Sequence, residues 1–309
     1  MFNKNSWSHL LKFERLSHPQ KNCGSLPNAP KFRNSTLWKI FSFISIFMLI
    51  DIGLTIILDH TLKKPHRNPT LSPTDALAAG LINLLAVISA TAALAKIENK
   101  SLFDYGLTGA ARAVRFLSGS VIGFVAISIL MLALWKTGLV QIDRSGGQAW
   151  KYAGAWAIIF LLAAVFEELL LRGYLQVALV RRIGFWRAST VLSTIFGLLH
   201  ATSPSENLVG MANAIVLGLI LCLTLWYTGS LWWAIGFHAA WDWGESAVYG
   251  ASDSGSVIQH AMFAARPLGS VLLSGGSAGP EGSLLILPLM GFIAVLIWLR
   301  WRPSPLYPR

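Results

Sequence analysis

The chain alternates long apolar runs with short polar breaks. Eight runs approach the roughly 20 residues that span a hydrocarbon core. They fall at about 38–58, 76–95, 116–135, 152–180, 187–203, 208–227, 230–249 and 284–300. Pro65, Pro69 and Pro73 separate the first pair, Asp143–Gly147 the third run from the fourth, and Thr202–Asn207 the fifth from the sixth. Thr228-Gly229-Ser230 predicts a tight turn into the seventh run, and a Gly/Ser-rich stretch, 250–283, precedes the eighth. The pattern predicts an all-α, polytopic membrane helical bundle of about eight transmembrane helices. Its partition is a polar tail (1–37), N-terminal transmembrane helices (38–150), a segment rich in membrane-level polar residues (151–249), and an extracytoplasmic loop with a last helix (250–309).

Composition agrees with a membrane protein. Of 309 residues, 54% are hydrophobic and 13% charged, with a mean hydropathy of +0.56. In a soluble chain the net charge of +11 would suggest nucleic acid. Here Lys and Arg divide 18 to 7 between alternate loops. That bias places both termini in the cytoplasm and makes the basicity topological, so no nucleic-acid partner is implied. Cys23 and Cys222 are too few and too far apart for a disulfide framework or a CxxC metal site. The first apolar run starts too late for a cleavable signal peptide, and the ending Tyr307-Pro308-Arg309 is not a CaaX box.

Charged residues inside the apolar runs carry the functional signal. Glu167 and Glu168 interrupt the fourth run, where a charge costs at least about 2.5–3.5 kcal/mol. Glu168 and Arg172 are four apart and share a helical face, which holds Glu168 ionised and leaves Glu167 on another face. His200 ends the run Phe196-Gly197-Leu198-Leu199-His200, and His238 and Asp242, again four apart, project together from the seventh run. Glu245 extends that stripe. Each feature has a bland reading: a histidine satisfied by a backbone carbonyl, or a local His–Asp hydrogen bond. Together, at comparable depths, they form a parts list for hydrolysis: a carboxylate base, imidazoles to polarise a carbonyl or bind metal, and an orienting carboxylate. His200, His238, Glu167 and Asp242 are also an acceptable set for a divalent metal such as zinc, and spacing does not decide whether one is bound. Trp232, Trp233, Trp241 and Trp243 surround the His–Asp pair, either as interfacial residues or as walls of a substrate groove. Gly275-Gly276-Ser277-Ala278-Gly279 fits G-x-S-x-G but lacks the strand-turn-helix setting of a nucleophile. His260 is expected to be exposed in the outer loop.

Glu167-Glu168-x-x-x-Arg172, then Phe196-x-x-x-His200, then His238-x-x-x-Asp242 resembles the three-motif signature of the CPBP family. These are the CAAX protease and bacteriocin-processing intramembrane proteases, or type II CAAX prenyl endopeptidases. The resemblance covers roughly 153–246 and makes 151–249 the catalytic domain. It implies a plasma-membrane endopeptidase with a cavity open toward the cytoplasm and a membrane protein or peptide as substrate. By that resemblance Glu167 activates the attacking water, His200 assists, and His238 with residue 242 stabilises the oxyanion, while Glu168, Arg172 and Phe196 support the site. Position 242 is often Asn in the family. Ionised Asp242 cannot donate to an oxyanion, so it must orient His238, bind a metal or be protonated. Two alternatives stay open. One is a non-proteolytic scaffold or bacteriocin-immunity protein, and the other is a proton-coupled transporter, whose paired repeats the sequence does not show.

Overall fold

The computed structural model describes residues 35–62, 70–146, 149–203 and 205–301. Most of the polar tail, the proline-rich break at 63–69 and the C-terminal residues therefore lie outside the described residues. The described residues from Thr36 onward form one compact unit.

Helices occupy all eight predicted runs. They are α1 (Thr36–Leu62), α2 (Pro73–Ile97), α3 (Arg112–Lys136), α4 (Ala153–Glu168) continuing into α5 (Gln176–Ile183), α6 (Phe185–His200), α7 (Leu208–Thr228), α8 (Trp232–Asp242), and α10 (Ile286–Trp301) after the short α9 (Val271–Ser274). Five segments are long and apolar enough to cross a membrane: α1, α2, α3, the stretch from 149 to the end of α5, and α7. The other three runs form shorter helices. α6 and α10 have 16 residues each, about 24 Å at 1.5 Å per residue, and α8 has 11 before it changes winding. The expected runs at 187–203 and 284–300 were of nearly this length, and α8 continues with altered winding over Trp243–Val248.

Local chemistry sets the helix ends. Ser72 caps α2 by accepting from Asp75 N at 3.2 Å with Pro73 at the first position, and Asn207 caps α7 by accepting from Gly210 N at 2.8 Å. Gly229 closes α7 in the left-handed conformation, forming the tight turn the sequence predicts. Burial then grades the bundle. Only 6% of the apolar window of α1 is buried, against 56% of that of α7. α1 thus presents Phe41, Leu49, Ile52 and Ile56 outward, which only an apolar surrounding tolerates.

α8 is seated by close backbone approach. Gly119 and Gly123 of α3 form a G-x-x-x-G pair, and a Cβ at either would overlap the carbonyl oxygen of Trp233 or Phe237. Gly236 of α8 meets Phe116 in the same way. Trp233, Phe237 and Trp241 stack successively on this packed side, with ring centroids 5.3 and 5.7 Å apart. Trp233 and Trp241 are consequently buried core residues rather than the walls of a groove.

The 250–283 stretch is an ordered cap rather than a plain loop. β2 (Val140–Arg144) pairs antiparallel with β4 (Phe263–Pro267), from Val140 opposite Pro267 to Arg144 opposite Phe263. β1 (Thr70–Leu71) pairs in parallel with β3 (Val257–Ile258). Trp156 Nε1 donates to Gln259 O at 2.9 Å, tying the cap to the start of α4, and Trp243 Nε1, just after α8, donates to Ala153 O at 3.0 Å.

Candidate active site

Glu167 and Glu168 sit at the end of α4, where regular winding stops. Residues Leu169–Leu175 are π-wound, and Gly173 breaks the helix at φ −84°, ψ −111°. Trp243–Val248, directly after Asp242, is π-wound as well. Both carboxylate-bearing motifs therefore precede a local widening of their helix, a feature that frequently accompanies functional sites.

The two glutamates face different partners. Arg172 Nη1 donates to Glu168 Oε1 at 2.9 Å, and both side chains are fully buried. Arg172 also lies over the Phe196 ring, 4.7 Å from its centroid. Room for the guanidinium comes from Gly218 on α7, where a Cβ would stand 2.8 Å from Nη2 and from the Ser193 hydroxyl. Glu167, by contrast, keeps 32% of its side chain exposed. It lines a cavity of about 100 Å³ shared with His200, His238, Asp242 and Phe196. A buried water needs roughly 10–15 Å³ of such space, so the cavity has room for several.

His238 is gripped from both ring nitrogens. Its Nδ1 lies 3.1 Å from Glu168 Oε1, while Nε2 has Glu167 Oε2 at 3.6 Å and Asp242 Oδ2 at 3.5 Å. Orienting the ring was one of the roles the sequence left open for Asp242. Glu168, from another helix, holds Nδ1, and Asp242 approaches the nitrogen that faces the cavity. His200 Nδ1 lies 2.8 Å from Phe196 O, and since a carbonyl only accepts, this nitrogen carries the proton. The bland reading of His200 is satisfied, yet its Nε2 remains for the cavity. Phe196 packs edge-on against both imidazoles, with centroids 4.7 Å from His200 and 6.2 Å from His238.

The structure gathers all seven sequence-predicted residues and adds others. Asp253 and Glu281 reach the same cavity from the 250–283 cap. Asn213 of α7 lines it too, and its Nδ2 donates to Glu281 O at 2.7 Å. Burial pushes the Asp253 carboxyl well above the usual carboxylate range, and the neighbouring acids Asp242 and Glu281 push it the same way. An isolated Asn within an apolar run was a readable signal for Asn213. The two acids lay in a stretch that read as a polar loop. The G-x-S-x-G pentapeptide serves this delivery. Gly279, at φ +100°, lets its segment pass the Ser252 carbonyl, where a Cβ would overlap it, and Ser277 Oγ merely donates to Ser205 O at 3.2 Å. His260 is exposed, as expected, with its ring 4.0 Å from that of Tyr152. Asp51 on α1 is a further membrane-level acid that does not line the cavity.

These residues lie within a matched segment. Residues 149–244 fit the family described as type II CAAX prenyl endopeptidase Rce1-like. This segment is similar to that family of endopeptidases. No curated protein matches the chain. The Rce1-like segment contains Glu167, Glu168, Arg172, Phe196, His200, His238 and Asp242, whereas Asp253 and Glu281 fall outside it.

The donor types of the Rce1-like set, two imidazoles and two carboxylates, suit zinc. Among the described residues, however, the trio whose ligand atoms all lie within 4.8 Å of one another is Glu245, Asp253 and Glu281. A zinc ion on His200, His238, Glu167 and Asp242 would need these side chains to draw closer.

The cavity also has a definite end of the bundle. It lies toward the 250–283 cap, and the opposite end carries a clasp around Glu98. There Lys39 Nζ and Tyr174 Oη reach Oε1 at 3.0 and 2.9 Å, and Arg181 Nη1 reaches Oε2 at 3.3 Å. Among the described residues nine Lys and Arg lie at the clasp end and four at the cap end. Two sequence expectations therefore diverge: the charge bias puts the cavity end outside, and the family resemblance puts it toward the cytoplasm.

Proposed function

We propose that the protein is an intramembrane endopeptidase that cleaves a membrane-associated protein or peptide, with water activated by Glu167. The observation that carries this reading is the split between adjacent glutamates. Glu168 is committed to Arg172 and His238, while Glu167 faces the water-sized cavity alongside His200 and His238.

The roles follow from which atoms donate and which accept. Glu167 and the unprotonated Nε2 of His200 are both acceptors. A water that donates one hydrogen to each turns a lone pair outward for attack, and Glu167 takes the proton as the bond to the carbonyl carbon forms. His238 has its Nδ1 proton directed at Glu168. A second proton on Nε2, balanced by Asp242 and Glu167, supplies the donor for the oxyanion. In a neutral His238 the same nitrogen has a free lone pair, and this is the form that would accept zinc. The protonation state of His238 thus separates a glutamic from a metallo mechanism. The charge bias favours both termini in the cytoplasm and the cavity on the opposite side.

Cleavage of a membrane-embedded reporter peptide by the purified full-length protein in proteoliposomes tests the reading. Activity should disappear in Glu167→Gln with folded protein retained. Undiminished cleavage by that variant overturns the assignment, and loss of activity on zinc chelation with recovery on zinc alone selects the metal form.

A further inference from the structure

Glu245, Asp253 and Glu281 stand beside the proposed machinery without belonging to it. Glu245 sits in the π-wound continuation of α8, Asp253 early in the cap, and Glu281 in the turn before α10. Each offers a carboxylate oxygen within 4.8 Å of the other two. Asp253 and Glu281 face the cavity, and Glu245 lies fully buried behind them.

Their hydrogen bonds supply no countercharge. Trp241 Nε1 donates to Glu245 Oε2 at 3.0 Å and to Glu281 Oε1 at 2.8 Å, and Ser254 Oγ donates to Glu281 Oε2 at 3.1 Å. Glu245 Oε1, however, is buried with no hydrogen-bond partner among the described residues. It points toward Gly279, on the segment that delivers Glu281, where a Cβ would lie 3.3 Å from it. No Lys or Arg among the described residues pairs with any of the three acids. Buried carboxyls are ordinarily protonated, paired with a cation or bound to metal, and neither the indole nor the hydroxyl brings a positive charge.

We propose that Glu245, Asp253 and Glu281 bind a hard divalent cation, calcium being the best match, which fastens the 250–283 cap over the cavity. The donors are all oxygen, which disfavours zinc, a metal that selects imidazole and thiolate. Calcium bonds oxygen at about 2.3–2.6 Å, so ligands on opposite sides of one ion stand up to about 5 Å apart, which covers this spacing. Magnesium bonds at about 2.0–2.1 Å in a stricter octahedron and suits the trio less well. The ion would link the end of α8 to both limbs of the cap. Its effect is then on cap order, separate from water activation at Glu167.

The test uses the full-length protein in detergent, stripped with EGTA. Equilibrium dialysis against calcium should show one ion per chain. Asp253→Asn and Glu281→Gln should each weaken binding at least tenfold, and Glu167→Gln should retain it, which makes this result independent of the peptidase reading. Terbium provides a second readout that needs no acid variant to fold. Its emission, excited through the adjacent indole, should appear in the parent protein, be competed by calcium, and fall sharply in Trp241→Phe. Absence of both bound calcium and terbium emission overturns the proposal. So does binding that survives the 253 and 281 substitutions, or binding that is lost in Glu167→Gln.

Discussion

His238 is anchored to Glu168. Its Nδ1 lies 3.1 Å from the same carboxylate oxygen that Arg172 Nη1 reaches at 2.9 Å, so three side chains from two helices converge on one buried atom. Removing one partner strands the others away from water, and breaking a buried pair costs about 3–5 kcal/mol. Glu168→Gln and Arg172→Ala are therefore expected to lower the yield of monodisperse protein as well as cleavage. Glu167→Gln should keep normal yield and lose at least about 100-fold in rate, the lower range for a missing general base. Size-exclusion yield beside a cleavage rate checks this. Loss of yield alone in all three variants would make the whole cluster structural.

Asp242 stands 3.5 Å from the cavity-facing nitrogen of His238. Asp242→Asn removes the charge at nearly constant shape. Loss of a carboxylate that balances a doubly protonated ring should reduce kcat by about 10–100-fold, the range for a supporting partner of a catalytic group. A pH–rate profile of parent and variant reads it. An Asn variant equal to the parent at every pH would show that position 242 needs only a polar side chain.

Gly123 allows the backbone of α8 to touch α3 beside Phe237, one residue before His238. Gly123→Ala is expected to push α8 outward at a cost of about 1–3 kcal/mol, the usual range for overpacking, and to reduce cleavage by displacing the imidazole. Gly291 of α10 has nothing within 4 Å of an added Cβ, so Gly291→Ala should be neutral or stabilising by up to about 1 kcal/mol. Thermal unfolding of both variants against the parent provides the comparison.

The Glu98 clasp makes stability depend on pH. Burial raises the Glu98 carboxyl, but Lys39, Tyr174 and Arg181 outweigh it and hold the group below its ordinary range. A carboxyl depressed in the folded state adds stability above its unfolded value, about 4.3, and loses it as the pH falls further through the folded value. Glu98→Gln should melt below the parent at pH 7, and the gap should close as the pH drops under about 4. A gap that stays constant across this range would show that the charge contributes nothing.

Sidedness follows from the nine-to-four distribution of Lys and Arg between the clasp and cap ends. Single cysteines at Ser277 in the cap and at Arg182 near the clasp, introduced after replacing Cys23 and Cys222, should label from opposite sides of sealed cells. Labelling of Ser277→Cys from outside, and of Arg182→Cys only after permeabilisation, is the expected result. The reverse would place the cavity toward the cytoplasm.

Much of this protein is local and so was written in the sequence. Apolar runs specify helices because each backbone group must bond within its own segment in lipid. The Glu168–Arg172 and His238–Asp242 contacts follow from one helical turn, as does the hydrogen bond from His200 back to Phe196. The three motifs lie within the segment that matches the Rce1-like family model. What the tertiary structure alone decided lies between helices. Glu168 and His238 are 70 residues apart, and they meet because glycines seat α8 against α3 and because α4 changes winding at Leu169. Trp241 is a core residue and a carboxylate donor because its helix turns that face inward. Asp253 and Glu281 reach the cavity only because strand pairing and the close pass at Gly279 fold the cap back over it. Helical periodicity reports which residues share a face. Which faces meet depends on close approach and on chain reversals, and no single segment encodes that.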